Sequence, residues 1–98
     1  FAALSKFPPS ERDLAVGVRD DIATADLIAT MREAAPRTVE NIEVFDLYQG
    51  DQIEQGHKSL AFAISLRDPK RTLQDAQADA ATAAMLKSLE THFGAHLR

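Results

Sequence analysis

Apolar residues alternate with small or polar ones across 12–19, RDLAVGVR, where Leu14, Val16 and Val18 hold one phase and Asp13, Ala15 and Gly17 the other. Such alternation marks a strand with one buried face. After the turn-prone Asp20 and Asp21, the spacing of Leu27, Ile28 and Met31 predicts a helix with Thr24 as its N-cap. Pro36 stops that helix, because the residue before a proline resists helical geometry. The next stretch, VENIEVFDLY (39–48), is rich in β-formers but mixed in phase: Ile42 and Val44 share a parity with Asp46 and Tyr48, while Phe45 and Leu47 hold the other. A bulge or an edge position accounts for such mixing. GDQIEQG reads as a hairpin loop bounded by Gly50 and Gly56. It feeds the clearest strand, KSLAFAISL (58–66), with Leu60, Phe62, Ile64 and Leu66 on one face and Ser59, Ala61, Ala63 and Ser65 on the other.

DPKRTLQD then supplies a turn, with Thr72 as N-cap and Asp75 three residues later in a capping-box arrangement. The helix that follows is alanine-rich, and Leu73, Ala76, Ala80, Ala83, Met85 or Leu86, and Leu89 form its expected apolar stripe. Gly94 ends it, and AHLR forms a short last strand. Two split strand-helix-strand units with right-handed crossovers give an α+β, ferredoxin-like βαββαβ fold. Its four-stranded antiparallel sheet has order 4-1-3-2, with both helices on one face. The opposite face is then bare.

On the two central strands that bare face carries Ala15, Gly17, Ser59, Ala61, Ala63 and Ser65. A solvated sheet face normally presents longer polar side chains, so a nearly stripped one points to something flat lying on it. If strand two keeps a simple alternation through its end, Asp46 and Tyr48 face the same way. Tyr48, the only tyrosine, then stands as a stacking platform beside a cleared floor, and the Asp46 carboxylate and a serine hydroxyl can read base edges. A second protein domain packed on the face would need the same small residues, and the pattern alone leaves both readings open.

The chain has 98 residues, 45% of them hydrophobic, enough for one modest core and hence a single domain over 1–98. It begins abruptly with FAALSKF and no methionine, like a piece excised from something longer. No apolar run approaches the roughly 20 residues of a membrane span, so no membrane partner is expected. Without cysteine there are no disulfides and no thiolate metal sites. A net charge of −4 argues against indiscriminate binding of nucleic acid, so any such contact is local. Arg67, Lys70 and Arg71 cluster in LRDPKR and Lys58 stands just before a strand; these four are the candidates for what phosphate contact exists, and a helix-entry turn whose charges meet only water fits LRDPKR equally well.

FPPSERDLAVGV, FDLYQG, GHKSLAF, RTLQD and GAHLR occur in this order and at distances that resemble the C-terminal anticodon-binding domain of bacterial phenylalanyl-tRNA synthetase β subunits. The resemblance covers residues 7–98. It implies a ferredoxin-fold domain that holds the anticodon stem-loop of the phenylalanine tRNA, the first anticodon base stacking on the motif tyrosine. By that resemblance Tyr48 is the stacking residue, Asp46 the motif aspartate, Ser59 the serine of the KSL motif, and Ala15 a close-approach position. It further implies a cytoplasmic α2β2 ligase with aminoacylation in the α subunit. ATP and magnesium belong to the full enzyme, with no cofactor, metal or catalytic residue in this domain. Gln49 departs from the pattern, standing where many members carry arginine, and offers no charge for a phosphate there.

Other chemistries fit less well. Acylphosphatases share the domain size, but GVRDDIA sets two carboxylates where an acyl phosphate would be repelled. His57 and Ser59 share a strand face without an acid to orient the histidine. His92 and His96 have the spacing of a metal pair, yet Gly94 between them ends the helix and their common face. Asp20 and Asp21 lack the apolar surroundings that make a catalytic acid. The remaining alternative is a regulatory module that offers its open sheet to a small molecule or to a second copy.

Overall fold

The computed structural model describes residues 9–49, 53, 55–68 and 72–97. Its elements are β1 (Ser10–Arg19), α1 (Thr24–Ala34), β2 (Val39–Tyr48), β3 (His57–Leu66), α2 (Asp75–Phe93) and β4 (His96–Leu97). The sheet order is β2-β3-β1-β4, with every pairing antiparallel, as the alternation and crossover rules predict.

β1 and β3 pair in unbroken register from Ser10 opposite Leu66 to Arg19 opposite His57. That register aligns Leu14 with Phe62 and Val16 with Leu60, so both strands put their apolar phase on one side. Against that side pack Leu27 and Met31 of α1 and Ala78, Met85 and Leu89 of α2, all fully buried. A one-residue slip would turn the whole set out to water, which is why the register is fixed so firmly.

The helix ends differ from expectation. Ala23, not Thr24, occupies the N-cap of α1 and makes no side-chain cap bond; Asp26 in the first turn supplies the favourable negative charge instead. Helix α2 begins at Asp75, capped by Gln74 rather than Thr72, and the reciprocal partner is Gln77, whose Oε1 accepts the Gln74 N–H at 2.9 Å. Leu73 is therefore buried ahead of the helix, and the stripe takes its phase from Met85 and Leu89. Ala78 is its third fully buried member, while Ala76, Ala80 and Ala83 face water. Asp75 and Asp79, one turn apart, both hold Arg12 of β1, at 3.3 and 2.9 Å, and tie the start of α2 to the sheet. At the other end Gly94 adopts φ 67°, a left-handed conformation that glycine takes without strain, and the Ala95 N–H returns to the Leu89 carbonyl. That reversal delivers the chain to β4 beside β1. The expected loop between β2 and β3 falls mostly on residues 50–52 and 54, outside the described residues.

Phe62 is fully buried at the centre of this packing. Phe62→Ala is expected to lower unfolding stability by about 3–5 kcal/mol, read from the denaturant midpoint at unchanged slope.

Candidate nucleic-acid interface

The open face is built of rows that cross the sheet. Tyr48 of β2 lies opposite Ser59 of β3, Ser59 opposite Gly17 of β1, and Gly17 opposite His96 of β4. The next row is Asp46, Ala61 and Ala15. Further along come Glu43, Ala63 and Asp13, then Asn41, Ser65 and Glu11.

Tyr48 and Asp46 reach this face for a reason other than the simple alternation expected. Two irregularities interrupt the β2 ladder, one between Val39 and Asn41 and one between Val44 and Asp46. Up to the second, Ile42 and Val44 oppose Ile64 and Phe62 on the helix side. Unbroken alternation would have sent Asp46 and Tyr48 there too. Phe45 is the extra residue, and it reverses the phase so that Asp46 opposes Ala61 and Tyr48 opposes Ser59. Phe45 is itself 57% exposed.

The Tyr48 hydroxyl donates to Asp46 Oδ2 at 2.5 Å, and Asp46 Oδ1 accepts the Leu47 N–H at 3.1 Å. A carboxylate fixed by backbone thus fixes the phenol, while Tyr48 as a whole stays 55% exposed. The hydrogen bond to Asp46, and then its charge, raise the phenol above its ordinary pKa. Ser59, between Tyr48 and Gly17, is only 5% exposed, so the floor at this row is covered by its neighbours rather than open. Ala15, Ala61, Ala63 and Ser65 are partly exposed. The helices lie on the other side of the sheet.

The row ends in His96, which the sequence offered only as half of a metal pair with His92. A Cβ built on Gly17 would lie 2.6 Å from both Cε1 and Nε2 of His96, so the imidazole occupies the volume that any other residue at 17 would fill. His96 is nonetheless exposed overall. The available signal was a glycine inside a strand, which often marks close approach by another group. His92 lies on α2, where Nδ1 donates to the Ser88 carbonyl at 2.8 Å, and the two histidines share no face. Among the described residues no cluster of three or more histidines, cysteines or carboxylates is placed to hold a metal.

The basic residues are dispersed. Lys58 shares the parity of Leu60, lies opposite Val18 on the helix side, is 9% exposed, and donates Nζ to the Ile22 carbonyl at 2.6 Å. It braces the connection into α1 rather than presenting charge on the open face. Arg67 follows the far end of β3, eight residues or about 26 Å along the chain from Ser59, with Nε 3.0 Å from Glu40 Oε2 in an ion pair that lacks the direction of a hydrogen bond. Lys70 and Arg71 lie outside the described residues. Tyr48, Asp46, Ser59 and Ala15 are therefore brought together, and Lys58 and Arg67 are not part of that group. Arg19, in phase with Gly17, is held two-pronged by Asp21 at 3.1 and 2.6 Å, which keeps the Asp21 carboxyl below its ordinary pKa. The rows of Glu43, Asp13 and Glu11 make the other end of the face acidic.

A solvent-exposed phenol, an anchored carboxylate and a floor of small residues lie on the side of the βαββαβ sheet that the helices leave uncovered, in a domain of the ferredoxin-fold class. The chain belongs to the ferredoxin-fold anticodon binding domain family, whose match runs over residues 5–98. It is similar to the phenylalanine–tRNA ligase β subunits of Aromatoleum aromaticum, 43% identical over 98 residues, and Nitrosospira multiformis, 43% identical over 95. That of Clostridium tetani is 38% identical over 98 residues. These alignments cover 100%, 97% and 100% of this chain, and the chain spans 12% of the length of each relative. A formyltetrahydrofolate deformylase from Pseudomonas putida matches in shape at TM-score 0.49 and 13% identity, over 91% of this chain and 28% of that one, too slight a likeness to bear on function.

Two outcomes follow from this geometry. Tyr48, as the sole tyrosine, gives a clean phenolate absorbance signal. Its midpoint should lie above the ordinary value of about 10 and return toward it in Asp46→Ala. Because the fold favours the protonated phenol, the associated stability is present below the unfolded-state pKa and is lost as pH rises through the folded one. Gly17→Ala should displace the His96 ring, seen as shifted imidazole resonances, and its effect on stability should disappear in a His96→Ala background.

Proposed function

We propose that the open face docks the anticodon stem-loop of the phenylalanine tRNA, as part of a phenylalanine–tRNA ligase β subunit. The observation that carries this reading is the exposed Tyr48 side chain, held by Asp46 beside the partly exposed alanines Ala61 and Ala15. Stacking on such a ring is tolerant of base identity and worth about 1–3 kcal/mol, while the Asp46 carboxylate discriminates by accepting hydrogen bonds from a base edge. Ala15 and Ala61 let the nucleotide approach the backbone closely. Ser59 lies in the row between Tyr48 and Gly17, and its hydroxyl serves the stacked base once neighbouring side chains shift.

The electrostatics support a weak, local contact. The chain is acidic overall, and the Glu43, Asp13 and Glu11 rows repel a phosphate backbone, so the loop enters at the end marked by Tyr48, Arg19 and His57. Lys70 and Arg71 are the remaining basic candidates. Lys58 would first have to leave the Ile22 carbonyl, and Arg67 stands near Glu40. Most of the affinity for tRNA then comes from the rest of a cytoplasmic α2β2 ligase, whose aminoacylation chemistry, with ATP and magnesium, resides in the α subunit. This domain contributes position rather than catalysis. A regulatory module that takes a small molecule or a second copy on the same face is the competing reading.

Titration of the chain with a stem-loop bearing the phenylalanine anticodon, and with one changed at the first anticodon base, separates the two. Tighter binding of the cognate loop is expected, and equal affinity for both removes the recognition claim. Tyr48→Ala should weaken cognate binding by about 1–3 kcal/mol and leave the melting temperature nearly unchanged, since the ring is outside the core.

A further inference from the structure

We propose that His96 is a second base-contacting residue, its imidazole forming with Tyr48 a two-ring platform for two consecutive nucleotides of a single-stranded loop. The proposal rests on the stem-loop reading above and adds a residue to it. Register is the first support: Tyr48, Ser59, Gly17 and His96 lie in one row across all four strands. Neighbouring strands lie about 4.8 Å apart, so a ring over β1 stands two strand spacings, or roughly 9.6 Å, from β2.

Gly17 is the second support. An exposed histidine on a two-residue terminal strand would ordinarily extend into solvent, but here Cε1 and Nε2 both sit within 2.6 Å of where a Cβ on residue 17 would be. The ring is laid inward over the sheet, on the same face as Tyr48. The missing side chain at 17 provides room for it, and Ser59 between the two aromatic residues is almost fully covered. A platform therefore runs across the row where a single phenol was expected.

The chemistry of imidazole suits this position. Its π-face stacks on any base, and its ring nitrogens offer a donor or an acceptor to a base edge. Splayed bases seated on neighbouring aromatic side chains are the usual way a sheet face holds an unpaired loop. The acidic rows beyond Asp46 leave this row as the natural path of the strand.

The test pairs protein variants with anticodon stem-loops made abasic at one loop position at a time. His96→Ala should weaken binding of the intact loop about five- to a hundredfold. That loss should vanish on the loop that is abasic next to the position coupled to Tyr48→Ala. His96→Phe, which keeps a flat ring, should bind within about threefold of the parent, and the melting temperatures of both variants should match it. If Tyr48→Ala weakens binding while His96→Ala does not, the His96 role is overturned and the docking reading stands. A His96→Ala loss that persists equally on every abasic loop also overturns it, since the contact is then not to a base. If neither substitution changes binding, the docking reading fails and takes this one with it.

Discussion

One extra residue in β2 decides what the open face can do. Phe45 interrupts the ladder between Val44 and Asp46, and every side chain beyond it changes sides. Before the interruption β2 contributes Ile42 and Val44 to the core; after it, Asp46 and Tyr48 stand over the small residues of β3 and β1. Edge strands tolerate such a bulge because one of their two hydrogen-bonding edges is already free. The same strand can therefore serve the core along one half and the surface along the other. Without the bulge, a phenol and a carboxylate would face the helices, where an unpaired charge is costly.

Once turned outward, Tyr48 is disciplined by Asp46. An exposed aromatic side chain samples several rotamers, and ordering it on binding costs free energy. The 2.5 Å bond from the phenol to a carboxylate that the Leu47 N–H already holds reduces that cost in advance. The bond lies near water, so its value is orientation more than stability. Gly17 and His96 extend the same economy of space across the sheet, one residue giving up a side chain so that another can lie flat.

Alternation on β1 and β3 was legible in the sequence because both strands are central and apolar on one side throughout, which leaves a single consistent register. The order of elements and the turn at Gly94 then specify the topology. Lys58 was also legible, since it keeps step with Leu60 and so belongs to the helix side of β3. The phase of α2 was not, because an alanine-rich helix offers many nearly equivalent stripes and only Met85 and Leu89 select among them. Its cap was missed for a related reason: Thr72 is the stronger capping type, but burial of Leu73 places the start of the helix at Asp75. The outward turn of Tyr48 was reached by assuming regular alternation, which the bulge contradicts; the mixed phase of VENIEVFDLY held the sign of that irregularity but not its position. The order 4-1-3-2 already set the last strand beside β1, but a strand of two residues carries no alternation from which its register could be read, so the seat of the His96 ring over Gly17 was not legible.

The central claim is that a nucleobase docks on the uncovered sheet at the Tyr48 row. Amide chemical-shift mapping during titration with the anticodon stem-loop tests it most directly, because it locates a contact as well as detecting one. Docking at this row should concentrate the perturbations on Ala15, Gly17, Asp46, Tyr48, Ser59 and Ala61, with the helices quiet. Perturbations confined to α1 and α2, or centred on the acidic rows of Glu11, Asp13 and Glu43, would contradict it.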